Sequence, residues 1–148
     1  MLTWCMRMVS RQITEQLARG ETSLLGRFVA EDVKFRFPGQ HPFAVDTTSR
    51  DDLLQWWERF AHFRPKFQIH DVLVSGPPWN VRAALYFTDQ IGDPDDGTPY
   101  TNEGICLFRI RWGKVVEERV FLDTQAVADF FGTETAEEFF PENMVWQR

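Results

Sequence analysis

The chain's 148 residues, 43% of them hydrophobic, suit one compact domain, since a single core commonly forms at about 100 to 150 residues. A formal charge of −6 and a pI near 5.0 exclude a nucleic-acid partner, because neutralising phosphates takes a basic face that displaces counterions. Cys5 and Cys106 are too few for a disulfide framework, the start MLTWCMRMVSRQ lacks a signal-peptide run, and no window approaches the ~18 apolar residues of a membrane span; a cytoplasmic protein with no membrane partner is expected.

In chain order, SRQITEQLARG offers Ser10 as a helix cap, puts Ile13 and Leu17 on one face and stops at Gly20. TSLLGRFVAED sets Leu24, Leu25, Phe28 and Val29 on one helical stripe. The period then drops to two, and Val33, Phe35 and Phe37 alternate against Lys34 and Arg36 in a first strand. Pro38 and Gly39 end it, and QHPFAVDTT reads as a loop. SRDDLLQWWERFAHF opens on a capping-box signature, Ser49 with Asp52, and repeats Leu53, Trp56, Trp57, Phe60 and Phe63 at helical steps. After Pro65 the pattern is strand: FQIHDVLVS, a turn at GPPWN, VRAALYFTDQ, the polar loop GDPDDGTP, YTNEGICLFRIRW, a tight turn at GK, and VVEERVFLD running into the helical TQAVADFF. Helical segments followed by hairpin-linked strands define an α+β fold with helices on one face of a curved antiparallel sheet. Its core spans about residues 10–132, with a tail at 133–148.

The last hairpin sets an expected register. Gly113 at the first central position of a two-residue type II′ turn puts Trp112 opposite Val115. Counting back, Arg119 faces Phe108, Phe121 faces Cys106 and Asp123 faces Gly104, on the side shared with Tyr100 and Asn102. The other side carries Ile105, Leu107, Arg109 and Arg111 against Val116, Glu118, Val120 and Leu122, with Arg109 across from Glu118. The first face is expected to line a pocket, with a gap at Gly104 beside the Asp123 carboxyl. The second is semi-apolar and suits a homodimer through the outer sheet face.

Together, LARGETSLLGRFVAEDVKFRFPG, the helix DDLLQWW and FRIRWGKVVEERVFLDTQAV resemble the SnoaL-like branch of the NTF2-like superfamily, over roughly residues 13 to 131. The shared features are an acidic EDV strand start after a small helix turn, Pro-Gly after the first strand, and a final hairpin strand leading into a helix. The resemblance implies a cone-shaped sheet with three N-terminal helices packed on its concave face, a deep pocket between them, and commonly a dimer. In the steroid isomerase relatives a helix Tyr, a strand Asp and a second Asp act together; Ile13, Cys106 and Phe37 stand at the matching positions, so ketosteroid isomerisation is not expected. The superfamily's epoxide hydrolases use two carboxylates bridged by an Arg, where this chain has Asn102 and Gly104 beside Asp123. In SnoaL-type polyketide cyclases one Asp at the end of the final strand is the general acid/base, without a cofactor, and Asp123 falls on that position.

Asp123 thus has two readings: the N-cap of TQAVADFF, or a proton-transfer group whose pKa is raised by desolvation among aromatic rings. Tyr100 and Asn102 share its expected face and are placed to orient an oxygen-bearing ligand. His41, after Pro38-Gly39, borders the expected pocket mouth and titrates near neutrality. Trp56, Trp57, Phe60 and Trp79, with Phe37, Phe121 and Cys106, supply an apolar wall for a small hydrophobic molecule. His70 and Asp71 point to opposite faces of their strand, one of them inward, while His62 is a helix surface residue. GDPDDG lacks the ligand spacing of a calcium loop, and no zinc, iron or phosphate-binding pattern appears, so neither metal nor cofactor is expected. The function these features point to is a cofactor-independent acid/base enzyme, of cyclase, isomerase or dehydratase type, on a small hydrophobic carbonyl or hydroxyl compound. The other reading is a non-catalytic binding or dimerisation module in which Asp123 only caps a helix.

Overall fold

The structure, a computed structural model, describes residues 1–92, 95, 97 and 99–140. The elements run α1 (Leu2–Ala18), α2 (Leu25–Phe28), β1 (Val29–Phe37), β2 (Val45–Thr47), α3 (Arg50–Ala61), β3 (Lys66–Ser75), β4 (Asn80–Ile91), β5 (Tyr100–Arg111), β6 (Lys114–Leu122), α4 (Thr124–Phe131) and α5 (Ala136–Phe139). The six strands form one curved, unclosed sheet in the order β2-β1-β6-β5-β4-β3. Every neighbouring pair is antiparallel except β1 and β6, which run parallel.

Helix α1 begins well before Ser10, which is buried inside it rather than capping it. Leu2, Met6, Val9, Ile13 and Leu17 are spaced by three and four residues, so the apolar stripe extends N-terminally past the cap-like serine. Strand β1 likewise starts at Val29, and part of the expected loop after Gly39 pairs with it as β2, through Phe35 with Thr47 and Phe37 with Val45. Helix α3 forms as expected: Ser49 accepts a hydrogen bond from the Asp52 amide, and Leu53, Trp56, Trp57 and Phe60 are buried.

Phe43 is the hub of the aromatic core. Trp56, Phe60, Phe131 and Phe140 meet it edge-on at centroid distances of 5.8, 5.3, 4.9 and 5.4 Å, the arrangement the ring quadrupole favours. The Trp56 indole N–H donates to the Phe43 carbonyl at 2.8 Å, so the buried polar atom is satisfied. Phe140 brings the start of the tail into this core, packing it on its own chain. The reading of the 92–97 loop falls partly, and that of the tail beyond residue 140 wholly, outside the described residues.

The β5–β6 register differs from the expected one. Trp112 and Gly113 are the two central turn residues, with φ of 50° and 76°, the sign pattern of a type I′ turn. Arg111 therefore pairs with Lys114, and an irregularity between Arg109 and Ile110 shifts the pairing to Arg109 with Glu117, Phe108 with Glu118, Cys106 with Val120 and Gly104 with Leu122. Because side chains alternate, that change turns Glu118, Val120 and Leu122 inward and leaves Phe121 exposed. Arg109 thus faces Glu117, not Glu118, and Glu117 accepts from Arg119 at 2.8 Å. Gly104 does not mark a gap: a Cβ there would lie 2.5 Å from the Phe121 carbonyl oxygen and 2.6 Å from the Leu122 Cβ. Glycine is what lets β6 approach so closely at this point.

Candidate functional site

Between α1 and the concave face of the sheet lies an apolar cavity of about 290 Å³, walled by Met6, Val9, Ile13, Phe28, Phe108 and Ile110 among others. One carboxyl, that of Glu118 on β6, stands in its wall. Deeper, under α3, a void of about 30 Å³ holds a second carboxyl, Asp89 on β4, with Tyr100 and the rings of Phe37, Trp56 and Phe60. Trp57, Phe67, Phe87 and Cys106 border both spaces and form the partition between them.

Glu118 and Asp89 are only 4% and 3% exposed, and Oε1 of the first and Oδ1 of the second have no hydrogen-bond partner among the described residues. Burial in apolar surroundings disfavours the charged form and raises a carboxyl's pKa. Glu118 is pushed up to about 8 by burial, and the Trp57 indole N–H turned toward it eases the shift without closing a well-formed bond to Oε1. Asp89 is pushed up to about 7 by burial, partly offset by its own backbone N–H. Cys106 lies within reach of both charges; burial first, then Glu118 and Asp89, hold its thiol protonated. The Tyr100 hydroxyl is likewise held neutral, by burial and then by the nearby Asp89 charge.

Asn102 organises the inner end. Its Nδ2 donates to the Tyr100 hydroxyl at 3.0 Å and to the Asp123 carbonyl at 2.8 Å, while its Oδ1 accepts from the Asp123 amide at 3.2 Å. The amide thereby ties the end of β6 to β5 and fixes the tyrosine oxygen.

Of the residues singled out in the sequence, Phe37, Trp56, Trp57, Phe60, Cys106 and Tyr100 come together around the inner void, with Asn102 behind Tyr100. Asp123 does not join them. It is exposed, its Oδ1 accepts from the amides of Gln125 and Ala126 at 3.0 and 3.2 Å, and it borders an open groove at the strand ends instead of the apolar hollow. It is the cap of α4, a role typically worth ~1 kcal/mol. Phe121 and Trp79 are 48% and 53% exposed and line neither cavity, the first through the register change and the second because it sits in the β3–β4 turn.

His41 is buried, not at a mouth. Its ring lies 4.6 Å from that of Phe37, Nε2–H donates to the Pro38 carbonyl at 2.9 Å, and burial lowers its pKa. His70 is the extra residue of an irregularity in β3 and pairs with Thr88 at 2.9 Å, and Asp71 meets Arg7 at 3.3 Å. Both are exposed, so neither faces the cavity.

The two buried acids are what sequence reasoning missed, and each left a signal. In β4 the buried phase runs Val81, Ala83, Leu85, Phe87, Asp89, Ile91, with one carboxyl in an otherwise apolar series. In β6 Glu118 holds the phase of Val120 and Leu122. A charged residue at an apolar position of a strand is the informative exception. Among the described residues no group of three or more His, Cys, Asp or Glu side chains is placed to hold a metal ion.

The model of the SnoaL-like domain matches residues 9–118, and the chain belongs to that family. No curated protein matches the sequence. Among solved structures, Bal32a from a soil-derived mobile gene cassette is similar at a TM-score of 0.68 and 17% identity, covering 84% of this chain and 94% of that one. An NTF2-like protein of unknown function from Burkholderia pseudomallei gives 0.68 at 15% identity, with 84% and 95% covered. AclR, a putative hydroxylase from Streptomyces galilaeus, gives 0.64 at 13% identity, with 89% and 87% covered. At these identities the likeness concerns the fold, whose sheet and helices match those of NTF2-like proteins.

Proposed function

We propose that the protein is a cofactor-independent acid/base enzyme of cyclase, isomerase or dehydratase type, acting on a small hydrophobic carbonyl or hydroxyl compound, with Glu118 in place of Asp123 as the proton-transfer group. The observation that carries this reading is that Glu118, a buried carboxyl whose Oε1 has no hydrogen-bond partner among the described residues, lines an apolar cavity large enough for a small ligand. With a pKa near 8, Glu118 is mainly protonated at neutral pH, so it donates to a ligand carbonyl, while its ionised fraction takes a proton from carbon. Among the described residues no Lys, Arg or His lines this cavity, which disfavours an anionic substrate. Tyr100, neutral and held by Asn102, lies across the partition at the inner void, so Glu118 is the acid that lines the ligand cavity itself. A putative isomerase from Rhodopseudomonas palustris among the similar structures, at a TM-score of 0.59, is compatible with such chemistry.

Deuterium exchange tests this reading with surrogate ketones in place of the natural substrate. Incubated in D₂O with a panel of small cyclic and aryl ketones, the protein is expected to label the carbon next to the carbonyl of at least one, read by mass spectrometry. No label above the buffer rate with any ketone that binds the cavity would refute proton abstraction and leave a non-catalytic binding module.

We also propose a homodimer through the outer sheet face, where Leu73, Ile105, Leu107 and Phe121 are exposed together on β3, β5 and β6. Sedimentation equilibrium at micromolar concentration is expected to give twice the chain mass; a monomer there removes the proposal. The free Cys5 and Cys106 fit the reducing cytoplasm.

A further inference from the structure

We infer that the end of the sheet formed by the β3–β4 and β5–β6 turns is a docking surface for an anionic lipid bilayer. Trp79 and Trp112 sit side by side at these turns, 53% and 81% exposed, with the Trp112 amide donating to the Trp79 carbonyl at 3.2 Å. Trp112 adopts φ of 50°, a conformation that bulky side chains rarely take, and the turn thereby presents a large ring to the outside. Tryptophan is the side chain that settles at the boundary between water and acyl chains.

Charge is sorted along the same direction. Residues 72–88 and 104–116, the outer parts of the two hairpins, contain Arg82, Arg109, Arg111 and Lys114 and no acid, although the whole chain carries −6. Arg82 and Arg109 stand directly opposite each other on β4 and β5, an arrangement that costs stability between like charges. None of the four basic residues lies within 4.0 Å of a carboxylate among the described residues. Arg109 stands across from Glu117, and the Lys114 ammonium donates to the Arg27 carbonyl, so the cationic excess lies toward the turns, at Arg111 and Lys114 beside the two exposed indoles, and complements anionic headgroups above acyl chains. This departs from the absence of a membrane partner expected from the chain, because span length is visible in a sequence and a sorted turn surface is not.

The location gives the docking a use. Pro78 and Gly113, the neighbours of the two tryptophans, are exposed and also line the 290 Å³ apolar cavity, together with Leu2 of α1. A hydrophobic molecule leaving the bilayer at this end meets the cavity rim first; that use rests on the proposed function, whereas the docking does not.

Cosedimentation with vesicles tests it. The protein is expected to bind vesicles of phosphatidylcholine mixed with phosphatidylglycerol, to bind pure phosphatidylcholine at least about ten-fold more weakly, and to be released by high salt. Trp79→Ser with Trp112→Ser, and separately Arg111→Glu with Lys114→Glu, should each reduce binding about ten-fold or more. Phe121→Ser, which removes an exposed ring away from the turns, should not. Circular dichroism confirms that each variant is folded. No binding to the anionic vesicles, or binding that the turn variants leave unchanged, overturns the inference. So does self-association lost in those variants without any vesicle binding, which would mark the turns as a protein contact.

Discussion

Thermal stability should fall continuously as the pH is raised from about 5 to about 9, a direction opposite to that of proteins whose carboxylates are paired in the folded state. Asp89 is raised from 3.8 to about 7 and Glu118 from 4.5 to about 8, both chiefly by burial. Above the unfolded pKa values, near 4, the unfolded chain releases these protons while the folded chain keeps them, so stability declines with each step in pH. The decline ends once both folded groups have ionised, above about 8. A shift of three units corresponds to about 4 kcal/mol per group, which makes the pair comparable to the total stability of about 5 to 15 kcal/mol of an ordinary domain. Water admitted to the hollow would lower that figure without changing its sign. Asp89→Asn should roughly halve the decline between about pH 4 and 7, and Glu118→Gln should halve it over the same range and also remove the remaining decline between 7 and 8. His41 acts in the other sense: its lowered pKa removes stability as the pH falls through the ordinary histidine range, so it shapes only the acid limb. Melting temperatures recorded across the range for the wild type and the two variants decide the matter, and a flat wild-type profile would show that the carboxyls are not desolvated as described.

Those two carboxyls also show which parts of the protein could be read from its sequence. Helical spacing identified α3 because Leu53, Trp56, Trp57 and Phe60 repeat without interruption behind a Ser49 cap. It placed the start of α1 too late because Ser10, a good cap in isolation, sits in the middle of a longer apolar stripe. The inner face of β5 is legible from alternation alone, which puts Tyr100, Asn102 and Cys106 on one side, and all three are buried or half-buried there. The inner face of β6 is not legible in this way, because it depends on one turn. A glycine after a tryptophan permits either II′ with Gly113 first or I′ with Gly113 second, and the backbone takes the second, with an irregularity two residues further on. One turn type therefore exchanged Asp123 for Glu118 as the acid facing the hollow. Asp89 needed no turn to find it, only attention to the single carboxyl in the apolar phase of β4. His41 illustrates the opposite limit: its burial against Phe37 follows from the path of the chain around Gly39, where a Cβ would come within 2.6 Å of the imidazole. No local pattern announces such a contact.

The same exchange gives the sharpest prediction about activity. If Glu118 moves the proton, Glu118→Gln should lower the rate of deuterium exchange into a responsive ketone by about 10²-fold or more, since an amide of the same shape keeps the packing and loses the transferable proton. Asp123→Asn, by contrast, keeps an acceptable cap on α4 and should leave the rate within about two-fold, because its side chain lies outside the apolar hollow. Asp89→Asn tests the division of labour between the acids. Asp89 sits beside Tyr100 in a void of about 30 Å³, room for one water, across the partition from the ligand cavity, so its loss should change stability and the pH profile more than it lowers the limiting rate. The profile itself separates the two directions of transfer. A rate that rises with pH and levels off near 8 marks ionised Glu118 as the base, and a rate that falls through the same region marks its protonated form as the acid. A folded Glu118→Gln protein with an undiminished rate, alongside an inactive Asp123→Asn protein, would return the chemistry to the end of β6 and require the strand to turn its terminal carboxyl inward when substrate binds.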